Sequence, residues 1–94
     1  MRIKFRTAAS ADMRRVARET RLAWGEAQAE KYTRHMRDEI SSLTNFPERF
    51  PEFTQRKGLR RMNCERHAVF YLVLEEQIEI VRVLHAASDF ERWL

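Results

Sequence analysis

The chain has 94 residues, 44% of them apolar, which suffices for one domain over residues 1–94 but leaves no room for a separate cofactor domain. Its one cysteine, Cys64, excludes an internal disulfide and a cysteine-bound zinc ion, and no apolar stretch approaches the roughly 20 residues of a membrane span, so we predict a cytoplasmic protein. The balance of 18 Lys and Arg against 14 Asp and Glu gives a net charge of +4, which attracts polyanions or an acidic partner.

The N-terminal quarter has the pattern of a strand followed by a helix. Ile3 and Phe5 alternate with basic residues, which predicts a strand with one buried face. Ser10 is a candidate N-cap, and apolar residues recur at helical spacing from Met13, so we predict helix one over residues 11–23. The opposite face of this helix is basic and carries Arg14, Arg15, Arg18 and Arg21.

Trp24 and Gly25 separate this helix from a second one. Glycine favours the positive φ of a helix C-cap, and another apolar stripe begins directly after it. We predict helix two over residues 26–44, paired with helix one as a helical hairpin, with Trp24 packing the turn against the sheet. The stripe consists of Ala29, Tyr32, Met36, Ile40 and Leu43.

The second half of the chain has the pattern of an antiparallel meander. We predict an ordered loop over residues 46–53 packed by its phenylalanines, then strands over residues 59–63 and in the two apolar runs of residues 67–85. Ser88 is a candidate cap for a final helical turn. The predicted fold is α+β in the order β-α-α-β-β-β with a short C-terminal helix, the helical hairpin covering a twisted antiparallel sheet. The pattern leaves the position of strand one open.

Five sequence blocks are similar to those of one bacterial family. On these blocks the chain resembles the RelE/ParE superfamily of toxins, and within it the ParE branch. One departure is the Pro-x-x-Gly-x-Arg pattern, present only as Pro51, Gly58 and Arg60 at altered spacing. The blocks are Ala11-Asp12, Trp24-Gly25-x-x-Gln28-Ala29-x-x-Tyr32, Leu59-Arg60, Arg66-His67-Ala68-Val69-Phe70-Tyr71, and Ile78-Glu79-Ile80-Val81-Arg82-Val83-Leu84-His85 with Ser88-Asp89.

The resemblance implies the toxin of a type II toxin–antitoxin system, held inactive by a cognate acidic antitoxin whose C-terminal segment wraps the toxin. RelE-like members cleave mRNA on the ribosome, whereas ParE-like members inhibit DNA gyrase. An antitoxin-binding module without toxicity is a further alternative. The residues predicted to bind a partner are Arg14, Arg18, Arg21, Trp24, Tyr32, Met36, Phe90 and Trp93.

The ribonuclease alternative makes specific demands on the residues. Metal-free RNA cleavage requires a general base, an acid for the leaving oxygen and cations that hold the phosphate. Arg60, Arg61 and Arg82 would supply the cations if neighbouring strands aimed them at one phosphate. His67 or His85 would supply the base, because an unperturbed imidazole changes its charge near neutral pH.

The segment after the last strand favours the gyrase inhibitor. Ala86-Ala87-Ser88 offers no proton-transfer group where RelE-like enzymes place a further catalytic residue. We therefore predict gyrase inhibition, with a metal-independent endoribonuclease as the alternative, and we expect no cofactor for either. Structural roles are also open, since Arg82 would pair with Glu79, with Asp89 or with a helix C-terminus, and His85 with Asp89.

Overall fold

Four strands and three helices follow one another in the order predicted from the sequence. The computed structural model describes residues 1–94. A 3₁₀ turn at Ser42–Thr44 continues the second helix, which confirms its predicted extent. None of the helices combines the length and the apolar character that crossing a bilayer requires. The elements are β1 (Arg2–Phe5), α1 (Thr7–Trp24), α2 (Glu26–Ser41), β2 (Arg60–Cys64), β3 (His67–Val73), β4 (Gln77–His85) and α3 (Phe90–Trp93).

The strands form one sheet in the order β1-β4-β3-β2. β2, β3 and β4 are antiparallel neighbours, which confirms the predicted meander. β1 runs parallel to β4, with Ile3 opposite Ile78 and Phe5 opposite Ile80. Parallel neighbours require a long crossover, and the helices together with the meander provide it. β1 is therefore an edge strand with one unpaired side.

Helix α1 begins earlier than the sequence pattern predicted. Its N-cap is Arg6, and the backbone N–H of Ser10 donates to the carbonyl oxygen of Arg6 at 2.9 Å, so Ser10 is a helical residue and not the cap. Ala9 is completely buried in the first turn. Burial of this side chain and the high helix propensity of Ala8 and Ala9 extend the helix past the serine signal.

The connection between α1 and α2 matches the prediction at Gly25 and differs from it at Trp24. Gly25 has a φ of 91°, and its N–H donates to the carbonyl oxygen of Arg21 at 2.9 Å, which is a helix end that favours glycine. Trp24 does not pack against the sheet and is 45% exposed. The guanidinium of Arg66, from the turn between β2 and β3, lies 3.7 Å from the centre of its ring and covers it instead.

The sheet separates two hydrophobic clusters. The larger lies between the sheet and the two long helices, and Tyr71, Met36 and Ile40 within it are at most 2% exposed. The smaller lies on the opposite face around Phe70 and is covered by Phe90 of α3. Phe70 and Tyr71 are consecutive, so the alternation of β3 sends one ring into each cluster.

The loop over residues 46–53 is packed by two of its phenylalanines. Phe50 contacts the larger cluster and Phe53 the smaller one. Phe46 is 68% exposed and joins neither, so the predicted aromatic packing is wrong at this residue. Arg60 donates hydrogen bonds to the carbonyl oxygens of Glu48 and Phe50, at 3.2 and 2.7 Å, which hold the loop against β2.

Candidate functional site

Three arginines form a basic stripe along the exposed side of α1. Arg14, Arg18 and Arg21 are four and three positions apart, so they share one side of the helix. None of the three takes part in an ion pair. Their role in binding a partner stays a prediction, and their charges are free to meet an acidic surface.

An apolar groove lies between β1 and the two long helices. Its volume is about 450 Å³. Arg14 belongs both to this groove and to the basic stripe, so the two features adjoin. Arg37, which the sequence did not single out, adds a second cation from α2. The apolar lining residues are Ile3, Phe5, Met13 and Ile40.

Two residues predicted to bind a partner lie in the interior. Met36 is 0% exposed because it lies on the inward stripe of α2, so the prediction that it contacts a partner is wrong. Tyr32 is 9% exposed. Its Oη lies 2.6 Å from Nδ1 of His67 and accepts the N–H of Arg66 at 3.3 Å. Tyr32 therefore holds α2 to the start of β3 and is not an accessible contact.

A buried ion pair joins α1 to β4. Asp12 is 1% exposed, and its carboxylate accepts two hydrogen bonds from the guanidinium of Arg82, at 2.7 and 2.8 Å. The carboxylate also accepts a hydrogen bond from the Arg15 guanidinium and one from the N–H of Val83, both at 2.9 Å. Asp12 is thus satisfied by four donors from two elements, and it ties the helix to the strand.

These hydrogen bonds determine the charge of the pair. Burial alone raises the pKa of a carboxyl group, but the bonds from Arg82, Val83 and Arg15 outweigh it and hold the pKa of Asp12 below its ordinary value of 3.8. The same pairing raises the pKa of Arg82. Both groups are therefore charged at neutral pH.

Of the partners predicted for Arg82, the helix C-terminus is confirmed, because its guanidinium donates a hydrogen bond to the carbonyl oxygen of Trp93 at the end of α3, at 3.2 Å. The pairings with Glu79 and Asp89 are wrong. Glu79 is paired with Arg6 at the end of β1. The sequence did carry a signal for the observed pair. Asp12 lies one helical turn before the buried Val16, and Arg82 interrupts the apolar run of β4. A lone charge on each of two buried faces indicates that the charges pair with one another.

The three arginines predicted to hold one phosphate do not converge. Arg60 and Arg61 are consecutive in β2, so their side chains leave opposite faces of the sheet. Arg60 is bound to the loop, and the guanidinium of Arg61 lies 4.7 Å from the ring centre of Phe90. Arg82 is bound to Asp12. The prediction of a shared phosphate clamp is therefore wrong.

A histidine cleft of about 340 Å³ lies between α1, the ends of β3 and β4, and α3. His85 is exposed in it, and the Nδ1 atom of His85 accepts the N–H of Ala87 at 3.2 Å. The predicted pairing of His85 with Asp89 is wrong, because this local backbone donor takes the place of the carboxylate. His67 stands directly opposite on β3, and the two ring centres are 5.4 Å apart.

His67 has an unusual titration that predicts a pH dependence of stability. Burial, followed by the nearby His85, lowers the pKa of His67 from 6.5 to about 4. Between these values the unfolded chain binds a proton that the folded chain does not. The stability that neutral His67 contributes is thus complete above pH 6.5. As the pH falls from 6.5 toward 4, the free energy of unfolding decreases by at most about 1.4 kcal/mol per pH unit. We expect His67→Gln to remove this decrease.

Urea unfolding at pH 7 and pH 5, in buffer containing a chelator, measures this decrease in the free energy of unfolding. His35→Gln is the matched control, because His35 is exposed on α2 and does not contact the cleft. It should behave like the wild type. A decrease of the same size in His67→Gln would contradict the assignment.

Helix α3 gives different roles to its two aromatic residues. Phe90 packs on the smaller cluster, where it fixes α3 to the sheet. Trp93 is 50% exposed at the rim of the histidine cleft and stays available to a partner. The N-cap of α3 is Asp89 and not Ser88, because the first backbone hydrogen bond of the helix runs from the N–H of Arg92 to the carbonyl oxygen of Asp89, at 3.2 Å.

The fold matches that of a solved structure over most of the chain. A solved structure from the chromosomal ParDE TA system of P. aeruginosa matches this chain with a TM-score of 0.80. The match covers 90% of this chain and 95% of that chain at 18% sequence identity. It confirms the α+β architecture in which a helical hairpin packs on a sheet.

Sequence similarity identifies the family, which the match of the fold alone does not. Residues 3–90 match the family of the ParE toxin of type II toxin–antitoxin system, parDE. Toxin ParE of Escherichia coli is 34% identical over 83 residues, which cover 86% of this chain and 81% of that protein. Toxin ParE1 of Caulobacter vibrioides is 35% identical over 82 residues, which cover 86% and 84%. The chain belongs to the ParE toxin family of type II toxin–antitoxin systems.

Proposed function

We propose that this toxin inhibits DNA gyrase and that a cognate acidic antitoxin neutralises it. The observation that carries the choice of target is that Arg60, Arg61 and Arg82 are each engaged within the protein. A ribonuclease needs such cations beside its base to stabilise the charge that develops on the phosphate. Arg15 and Arg82 line the same cleft as His85, but both are paired with Asp12. Membership of the ParE family supports the same choice.

Expression of the chain without its antitoxin distinguishes the candidate functions in cells. We expect incorporation of labelled thymidine to stop before incorporation of labelled methionine, because gyrase inhibition blocks replication first. Translation that stops first would favour the endoribonuclease. Growth without arrest would leave only an antitoxin-binding module.

The apolar groove and the basic stripe support the antitoxin part of the proposal. An amphipathic segment would insert its apolar side chains into the groove, and its carboxylates would face the arginines at the rim and along α1. Such a segment gains its order on binding, which suits an acidic chain with little core of its own. β1 also offers an unpaired edge close to the same groove.

Charge reversal in the basic stripe is expected to separate binding from stability. Arg14→Glu combined with Arg18→Glu should weaken binding of the acidic protein encoded beside this chain, and the loss should be larger at low salt than at high salt. Both side chains are exposed and unpaired, so the free energy of unfolding should change by only about 0.5 kcal/mol. Calorimetric titration at two salt concentrations and urea unfolding measure the two effects.

A control with the same change of charge is available elsewhere on the surface. Lys31 and Arg34 are both exposed on α2. Lys31→Glu with Arg34→Glu should leave the affinity close to that of the wild type. If both double variants lost affinity equally, net charge alone would account for binding and the basic stripe would have no special role.

A further inference from the structure

The two histidines of the cleft have the arrangement of a pair of metal ligands. His67 and His85 are cross-strand partners on β3 and β4, and their ring centres are 5.4 Å apart with the ring planes inclined by 70°. With zinc–nitrogen distances of about 2.1 Å and tetrahedral angles, two imidazole rings on one ion have their centres roughly 5 Å apart. The distance between the two ring centres is therefore compatible with ligation of one shared ion.

The hydrogen bonds of both rings leave the same nitrogen unused. Nδ1 of His67 is bound to Tyr32 Oη, and Nδ1 of His85 to the N–H of Ala87. Nε2 of each ring has no partner within the protein. A ligating histidine commonly uses its second nitrogen to fix the orientation of the ring, and Tyr32 does this for His67.

The charges that line the cleft compensate one another. Two arginines line the cleft, but Arg82 is paired with the buried Asp12, and Arg15 is shared between Asp12 and Glu19. The two positive and two negative charges cancel. Glu19, one of these two carboxylates, lies near His67, and Arg66, which does not line the cleft, brings a positive charge near the same ring.

We infer that the His67–His85 pair binds one divalent transition-metal ion of the class that prefers imidazole. Zn²⁺ is the ion we assign to the site. Water completes the coordination, because the fold gathers no group of three or more His, Cys, Asp or Glu side chains around one point. Ligation through Nε2 of His85 moves the ring proton to Nδ1 and ends the hydrogen bond from Ala87. Metal binding by this pair does not depend on which macromolecule the toxin acts on.

Calorimetric titration of the purified full chain with Zn²⁺ tests the site. We expect one ion per chain for the wild type and for His35→Gln, which removes the third and exposed histidine. His67→Gln and His85→Gln should each bind at least about tenfold more weakly. Equal affinity in wild type and His85→Gln, or loss of binding in His35→Gln, would overturn the inference. Circular dichroism checks that each variant is folded.

A spectroscopic measurement on the wild type does not depend on variants. With Cu²⁺ as the probe, pulsed paramagnetic resonance counts the imidazole rings bound to the ion. Two rings are expected, together with a shift of the Ala87 amide resonance on addition of diamagnetic Zn²⁺. A spectrum that reports one bound imidazole ring, or none, would show that His67 and His85 do not bind the ion together.

Discussion

Replacement of Asp12 by alanine is expected to cost about 3 kcal/mol of the free energy of unfolding. The substitution removes the buried acceptor of four hydrogen bonds and leaves the largely buried guanidinium of Arg82 without its counter-ion. Removing one partner of a buried pair costs about 3–5 kcal/mol, and the 18% exposure of the Arg82 side chain places the value at the lower end. Urea unfolding at pH 7 measures it.

Asp38→Ala is the matched control for this substitution. Asp38 is exposed on α2 and forms no ion pair, so its loss should change stability by less than about 0.5 kcal/mol. Asp12→Asn keeps the size of the side chain and removes its charge, so its cost should lie between those of the other two variants. Equal stability of Asp12→Ala and Asp38→Ala would show that the pair contributes nothing.

The cost of losing Asp12 should also depend on pH. Because the folded pKa of Asp12 lies below its ordinary value of 3.8, its contribution is complete above that value and is lost as the pH falls through the lowered pKa. The difference between wild type and Asp12→Ala should therefore be constant from pH 7 to about pH 5 and shrink below about pH 4. A difference that grew on acidification would contradict the assigned direction of the shift.

Met36→Ala is expected to lower the free energy of unfolding by about 3 kcal/mol. Its side chain is fully buried between α2 and the sheet, and truncation of a buried methionine costs about 2–5 kcal/mol through lost burial and the cavity that remains. If Met36 were a partner contact, the same change would leave stability unaltered and weaken antitoxin binding. Thermal and urea unfolding of the free toxin distinguish the two roles.

His35→Ala serves as the control on the same helix. His35 precedes Met36 and is exposed, so its truncation should change stability by less than about 0.5 kcal/mol. The helix propensity of alanine favours the variant slightly. A loss of stability in His35→Ala as large as that in Met36→Ala would mean that α2 is sensitive to any substitution, and that burial does not explain the effect.

The parts of the fold that depend on local pattern were predictable from the sequence. The apolar stripe of α2, the glycine between the helices and the meander of β2, β3 and β4 all arise from residues close in the chain. The start of α1 was not predictable from the sequence, because the burial of Ala9 overrides the capping signal of Ser10. Tertiary packing decides helix ends when it competes with a signal worth about 1 kcal/mol.

The parts of the candidate site that could not be predicted from the sequence depend on contacts between residues far apart in the chain. Residues of β1 pair with residues of β4 that lie 75 positions later in the chain, and Asp12 and Arg82 are 70 positions apart. Spacing along the chain contains no information about such pairs. The pairing of Asp12 with Arg82 could have been inferred from burial, since an isolated charge on an apolar face needs a partner. The basic stripe was visible in the sequence, whereas the apolar groove exists only once β1 lies beside the helices.

Assays of the two candidate targets with the purified, antitoxin-free toxin test the central claim most directly. Supercoiling of relaxed plasmid by DNA gyrase is measured in one reaction, and the integrity of ribosome-bound mRNA in a parallel one with wild type and His85→Ala. We predict that supercoiling is inhibited and that the mRNA stays intact with both proteins. Codon-specific cleavage by the wild type that disappears in His85→Ala, with gyrase unaffected, would contradict the account.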